Sequence, residues 1–292
     1  MKNSDDFPRY YKQAAYLISC VCQDYFSLVK MRLQALPRLI TFDVTGTLLM
    51  TKLEQHYADV ARSHGLSGLD GPRMSKTFRD SFKRLQIEHP IYGRHTGLGW
   101  ENWWRNIVYD VFRDQHQNIT NDKLDQIANS LIDCYSTNRC WHKYPGTIEL
   151  LDSLRLRPNL ILGIISNFDE RLEGILDSAS LRSYFSFVIT SYGLGVEKPS
   201  VAIFQEALRL SSERLQDEIP PKEALHVGDR VDNDYLGARA AQWNAILINH
   251  DKDSTDDKRV EPSDVFRNFD ELKTYFDKLS RKDATAEVNC RH

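Results

Sequence analysis

The side chains best placed for chemistry stand just after short apolar runs. Asp43 closes RLITF, Ser166 and Asn167 follow ILGII, and Asp229, Asp232 and Asp234 follow ALHVG. Lys198 stands at a helix start after the turn Gly193-Leu194-Gly195. In an open parallel sheet, ligands sit outside the carboxyl ends of the strands, near the point where the winding reverses. Carboxylates, a lysine and a hydroxyl brought to one such edge suit a divalent cation and a phosphate-like anion. Singly, each group has a plainer reading. A strand-end Asp commonly forms a turn or caps a helix, Ser166-Asn167 can cap the next helix, and Lys198-Pro199 can be a solvated lysine before a helix-starting proline. Their placement at successive strand ends is the argument for a site.

The elements that must position them follow from periodicity. Residues 38–43, 160–166, 187–190, 224–227 and 245–248 are short apolar runs expected to be buried strands, with helices near 146–155, 169–178, 200–211 and 233–242 between them. Strands alternating with helices make a parallel α/β sheet. Between the first strand and the rest, residues 53–140 read as four helices without a strand, a separate helical unit inserted after that first strand. Its helices center on Leu53 to His64, 74–88, the Trp-rich 100–116, and a run through Leu124, Ile127, Leu131 and Tyr135 that Asn121 should cap. Ala14, Leu17, Ile18, Val21, Tyr25 and Leu28 make one stripe along an upstream helix, with Met31 as a second plausible start. Residues 251–264 read as a charged loop, followed by a helix around 270–280 and a polar tail.

These residues resemble the motifs of the haloacid dehalogenase superfamily. FDVTGTLL (42–49) looks like the first motif, IISN (164–167) the second, EKP (197–199) the third and HVGDRVDNDYLGA (226–238) the fourth. WENWW (100–104) and SNFDERLEGIL (166–176) look most like one animal branch of it. The resemblance, over roughly residues 37–250, implies an α/β fold: a doubly wound parallel-sheet, Rossmann-like core with an inserted four-helix cap. The expected organisation is an N-terminal helical extension (1–36), a hydrolase core (37–51 and 143–250), a helical cap (52–142), and a C-terminal loop, helix and tail (251–292). It implies that Asp43 is a nucleophile forming an acyl phosphate, that Mg²⁺ is held by Asp43, the Thr45 carbonyl and Asp229, that Ser166 with Asn167 binds phosphoryl oxygens, and that Lys198 balances their charge. Asp234 would support lysine and metal, with Asp232 as the alternative. Thr45 counts both as a metal ligand and as a substrate-binding residue.

One position departs from the family pattern. Phosphatases of this superfamily usually carry an aspartate two residues after the nucleophile, and here Thr45 stands there. A hydroxyl cannot supply the ~100- to 10,000-fold of a positioned acid-base group, so hydrolysis is expected to be slow. The expected function is a Mg²⁺-dependent phosphatase-like hydrolase of small phosphorylated metabolites, with a binding pseudoenzyme and a carbon-halogen hydrolase as alternatives. In the insertion, two of Trp100, Trp103 and Trp104 are expected to pack cap on core, with the third facing a substrate or partner, since adjacent positions cannot share a helix face. His89, Arg94 and His95 are either solvated loop residues or contacts to a substrate anion.

Composition narrows the field. Two hundred and ninety-two residues with 41% hydrophobic and 27% charged content describe a globular chain able to bury a core without staples. A formal charge of -3 gives nucleic acid no electrostatic purchase. No apolar run reaches the ~18 residues of a membrane span, and Asp5 and Asp6 argue against a secretory or mitochondrial leader. The odd, scattered set Cys20, Cys22, Cys134, Cys140 and Cys290 suits free thiols in a reducing compartment, so a cytoplasmic residence is expected. The partner is then a small phosphorylated molecule, with protein contact through the N-terminal helix.

Overall fold

The computed structural model describes Leu33, residues 36–250 and residues 257–289, with side chains to 280. The helix expected over 10–30, Cys20, Cys22, Cys290 and the loop 251–256 lie outside the described residues. Strands β1 (Leu39–Phe42), β4 (Ile161–Ser166), β5 (Phe187–Thr190), β6 (Ala224–Gly228), β7 (Asn244–Ile248) and β8 (Val265–Phe266) form a six-stranded sheet. Every pairing is parallel, in the order β5-β4-β1-β6-β7-β8, so the chain starts at the center and winds outward both ways. β8 falls just past the segment expected to be loop.

Alternation along these strands explains why both faces are covered. Leu162 and Ile164 point into one apolar layer with Leu150, Leu154, Ile175 and Phe276, whereas Ile161 and Ile165 point into the other with Phe204, Ala207 and Trp243. Successive strand side chains face opposite ways, so a strand buried on both sides must be apolar throughout. Helices α5 (Thr147–Arg155), α6 (Leu172–Ser178) and the last, α10 (Phe269–Asn289), cover the first face. α8 (Val201–Leu215), preceded by the short α7 (Ser191–Leu194), covers the second, with α9 (Gly237–Ala240) following a π turn over Val231–Leu236. The sheet is thus the Rossmann-like, doubly wound type expected.

The helical unit comprises α1 (Leu53–Ser63), α2 (Gly71–Glu88), α3 (Trp100–Gln115) and α4 (Asn121–Tyr135) around its own core of Tyr57, Met74, Trp103, Phe112 and Ile127. α4 is capped one residue earlier than expected. Thr120, not Asn121, has the extended backbone of a cap, and its hydroxyl accepts from the Lys123 amide. Where the chain leaves and re-enters the sheet domain, β2 (Leu49–Met50) pairs antiparallel with β3 (His142–Lys143), which ties the two connections together. Sequence periodicity has no purchase on two-residue strands, and neither was expected.

Cys134 and Cys140 are joined by a disulfide, contrary to the expectation of free thiols. The end of α4 and the 3-10 turn Asn138–Cys140 fold the chain back, bringing the two Cα atoms to 5.8 Å, within bonding range. Free thiols at these positions therefore no longer speak for a reducing compartment. Among the described residues, no helix is long and apolar enough to cross a membrane.

Candidate active site

Register decides what meets at the sheet edge. Phe42 pairs with Ile164 on one side and Val227 on the other, so Asp43, Ser166 and Asp229 emerge side by side past the central strands. Asp43 is 7% exposed and Ser166 1%. Lys198 arrives from the loop after β5 and is buried, not solvated. Its ammonium donates to Asp43 Oδ1 (2.8 Å), Asp234 Oδ1 (2.6 Å) and the Ile165 carbonyl (2.8 Å), which uses all three protons. Asn167 holds the lysine backbone: its Nδ2 donates to the Lys198 carbonyl (2.9 Å) and its Oδ1 accepts from the Lys198 amide (2.8 Å).

Behind the lysine lies a layer that sequence reasoning missed. His226 Nε2 is 3.1 Å from Asp234 Oδ1, and its Nδ1 is 2.8 Å from Thr41 Oγ1. Burial keeps the imidazole neutral, so we assign the Nε2 proton to the Asp234 bond and let Nδ1 accept from Thr41. The signal was present in both residues' positions within buried strands, where a polar side chain requires a partner. Asp234 also accepts from the Arg230 amide (2.8 Å). Although burial opposes it, Lys198 and the His226 bond hold the Asp234 carboxyl well below the usual range. Burial pushes Asp43 up against the pull of Lys198, while Lys198 itself is kept charged, despite burial, by Asp234 and Asp43.

Asp229 is different. Burial, then the charges of Asp43 and Asp234, push its carboxyl up to about 7. Its Oδ1 is buried with no hydrogen-bond partner among the described residues. Carboxylate oxygens of Asp43, Asp229 and Asp234 come within 4.8 Å of one another. Mutually repelling, partly unsatisfied oxygens in so small a space fit a hard divalent cation. Two glycines make the approach feasible. A Cβ on Gly46, whose φ is +86°, would lie 2.5 Å from Asp229 Oδ2, and one on Gly228 would lie 2.2 Å from Asp234 Cγ.

Asp232 is not part of the cluster. It is exposed and paired to Arg259 at 2.7 Å. Thr45 is exposed on the turn after Asp43 and faces a cavity under the helical unit. Of the tryptophans, Trp103 is buried within that unit, donating to the Leu85 and His89 carbonyls, while Trp104 Nε1 donates to Asp169 (2.7 Å) and Trp100 Nε1 to Glu170 (3.0 Å). Thus two tryptophans do reach the sheet domain, but the third packs within its own unit rather than facing a ligand. Arg94 and His95 are exposed loop residues, as one of the two readings expected, and they bond the Gly193 (2.6 Å) and Gly195 (3.0 Å) carbonyls. His89 Nδ1 is 2.8 Å from Thr96 Oγ1.

Comparison with known proteins follows the same lines. A model of the haloacid dehalogenase-like hydrolases matches residues 37–242. The chain is 36% identical to the rhythmically expressed gene 2 protein of Drosophila melanogaster over 222 residues, 74% of this chain and 84% of that one. It is 38% identical to human haloacid dehalogenase-like hydrolase domain-containing protein 3 over 215 residues, 72% and 81% of the two chains. Among solved structures, a magnesium-bound HAD-hydrolase, YfnB of Bacillus subtilis, matches with a TM-score of 0.60 at 16% identity, over 83% of this chain and 99% of that one. A 2-haloacid dehalogenase from Pseudomonas syringae pv. Tomato DC3000 matches with a TM-score of 0.57 at 24% identity, over 82% and 98%. At these identities the two structures speak for the fold.

Proposed function

Because the chain belongs to the haloacid dehalogenase-like hydrolases, we propose that it hydrolyses small phosphomonoesters through an aspartyl phosphate on Asp43. The observation that carries this reading is Lys198: one buried ammonium ties Asp43 Oδ1 at 2.8 Å and leaves Oδ2 of the same carboxylate for attack. Asp43 Oδ2 forms the bond to phosphorus as the ester P–O bond breaks, and the leaving alkoxide takes its proton from solvent, since Thr45 has no acidic proton to give. Water then attacks phosphorus and returns Asp43 as carboxylate with release of inorganic phosphate. The Ser166 hydroxyl and the Asn167 backbone N–H bind phosphoryl oxygens, while Lys198 neutralises charge gathered on Asp43 and the phosphoryl group. Asp234, oriented by His226 and the Arg230 amide, keeps the ammonium in place.

Asp43, Asp229 and the Thr45 carbonyl would hold Mg²⁺, which supplies Lewis-acid neutralisation of phosphoryl charge when bound. The experiment is an acid quench during turnover of an aryl phosphate with Mg²⁺, followed by peptide mass spectrometry. A phosphoryl adduct on the peptide carrying Asp43, absent in Asp43→Asn, is expected. No adduct, together with magnesium-independent halide release from a 2-haloacid, would replace this reading with carbon-halogen hydrolysis. Silence in both assays with intact Mg²⁺ binding would leave a binding protein. A cytosolic setting and a role in metabolite turnover belong to the same proposal.

A further inference from the structure

A cavity of about 290 Å³ lies between the helical unit and the sheet edge, and both Thr45, two residues past Asp43, and Asn167, one past Ser166, open onto it. Whatever is esterified to a phosphate at Asp43 therefore extends into this space. Its walls are Tyr57, Phe78, Phe82 and Trp104 from the helical unit, with Trp141 and Phe168 from the other side. We infer that the site takes phosphate esters of neutral, aromatic or similarly apolar alcohols, of about bicyclic size, rather than sugar or other polyhydroxylated phosphates. The inference rests on the phosphatase reading for the ester, and on the cavity alone for the apolar part.

Three observations carry it. The first is charge. The single cation among the lining residues, Arg171, is already matched: Nε and Nη2 donate to both oxygens of the fully buried Asp169 at 2.8 and 2.6 Å. Its guanidinium also lies 4.8 Å from the Trp100 ring and 5.3 Å from the Trp104 ring. The Arg171–Asp169 pair is formally neutral and its guanidinium is covered by aromatic faces, so the cavity carries no uncompensated cation to select a second anionic group. Among the described residues no carboxylate lines the cavity to select a cationic substrate.

The second is hydrogen-bonding capacity. Tyr92 donates to the Asn167 carbonyl at 2.7 Å, and the Tyr135 hydroxyl is within 3.2 Å of Thr51 Oγ1 and 3.3 Å of His56 Nδ1. Two of the three lining phenols are thus engaged, and a sugar would bring several hydroxyls into an apolar space with few partners to receive them. The third is size. An engineered apolar cavity of about 150 Å³ accepts benzene, so roughly twice that volume suits two fused rings. Flat aromatic walls favor planar ligands by offset and edge-on contact.

The test compares 1-naphthyl phosphate, phenyl phosphate and glucose 6-phosphate with the full chain and Mg²⁺, alongside binding of 1-naphthol followed by tryptophan fluorescence. Expected is kcat/KM for 1-naphthyl phosphate at least about 100-fold above glucose 6-phosphate and above phenyl phosphate, since one buried group unmatched on either side changes such ratios by 10- to 200-fold. Ile132→Trp, which fills the cavity from α4, should erase the naphthyl-over-phenyl preference and weaken naphthol binding more than tenfold. Should that variant not fold, Phe82→Leu, which removes one aromatic wall, must weaken naphthol binding severalfold. Equal or better turnover of glucose 6-phosphate, or no naphthol binding by the wild type, would overturn the inference while leaving the phosphatase reading standing. Naphthol binding that Ile132→Trp removes, in a chain that hydrolyses no phosphate ester, would support the apolar pocket and sink the phosphatase reading instead.

Discussion

Lys198 Nζ lies 2.8 Å from Asp43 Oδ1 with the two side chains only 2% and 9% exposed, so the nucleophile proposed above is held by a charge that solvent cannot replace. Removing one partner of such a pair strands the other. In Lys198→Met, Asp43 and Asp234 would face each other uncompensated. A loss of about 3–5 kcal/mol is expected from the urea midpoint, with part regained on adding Asp43→Asn. An unchanged midpoint would mean that water reaches the pair.

Asp229 gives the metal-free protein a pH dependence of defined sign. Its carboxyl is raised from 3.8 to about 7 in the folded state, so the unfolded chain loses this proton first as pH rises. The contribution is fully present below 3.8 and is lost as pH climbs through about 7. Thermal melts of metal-free protein should therefore fall across that window, and Asp229→Asn should flatten part of the slope. The same variant should melt higher than wild type at neutral pH without metal, yet gain nothing from millimolar Mg²⁺. A wild-type slope of opposite sign would refute the assignment.

Thr45 controls rate, not binding, in the mechanism proposed. Thr45→Asp restores a carboxylate at the position of the usual acid and should raise aryl phosphate turnover toward the low end of the ~100- to 10,000-fold available to a positioned proton donor. Stopped-assay kinetics at saturating Mg²⁺ measure this. Wild-type turnover already matching ordinary phosphatases would show that another group moves the proton.

The Cys134–Cys140 bridge closes a loop with a sequence separation of 6, beside the cavity walls Tyr135 and Trp141. Loop-closure entropy assigns such a short bridge about 2 kcal/mol. Reduction, or Cys134→Ser, should lower the melting temperature by roughly 4–8 °C, with Cys134→Ser indifferent to reductant. Equal melting with and without dithiothreitol in the wild type would show that the bridge contributes nothing.

Much of the site could be read from the chain because strand alternation is local. Apolar runs such as LITF and ILGIIS announce strands buried on both faces, and whatever polar residue ends a run must emerge at the sheet edge, as Asp43 and Ser166 do. The choice between Asp232 and Asp234 was not local. Two positions apart on a helical turn they point to roughly opposite sides, but which side is inward depends on the strand behind them. The missing Cβ of Gly228 opens that space to Asp234, and Asp232 is left to Arg259. The particular pairings Trp104–Asp169 and Trp100–Glu170 were likewise invisible in sequence. Each joins side chains whose meeting is set by how the helical unit and its connections pack on the sheet, and hydrophobic period reports which face of an element is buried, never which element will cover it.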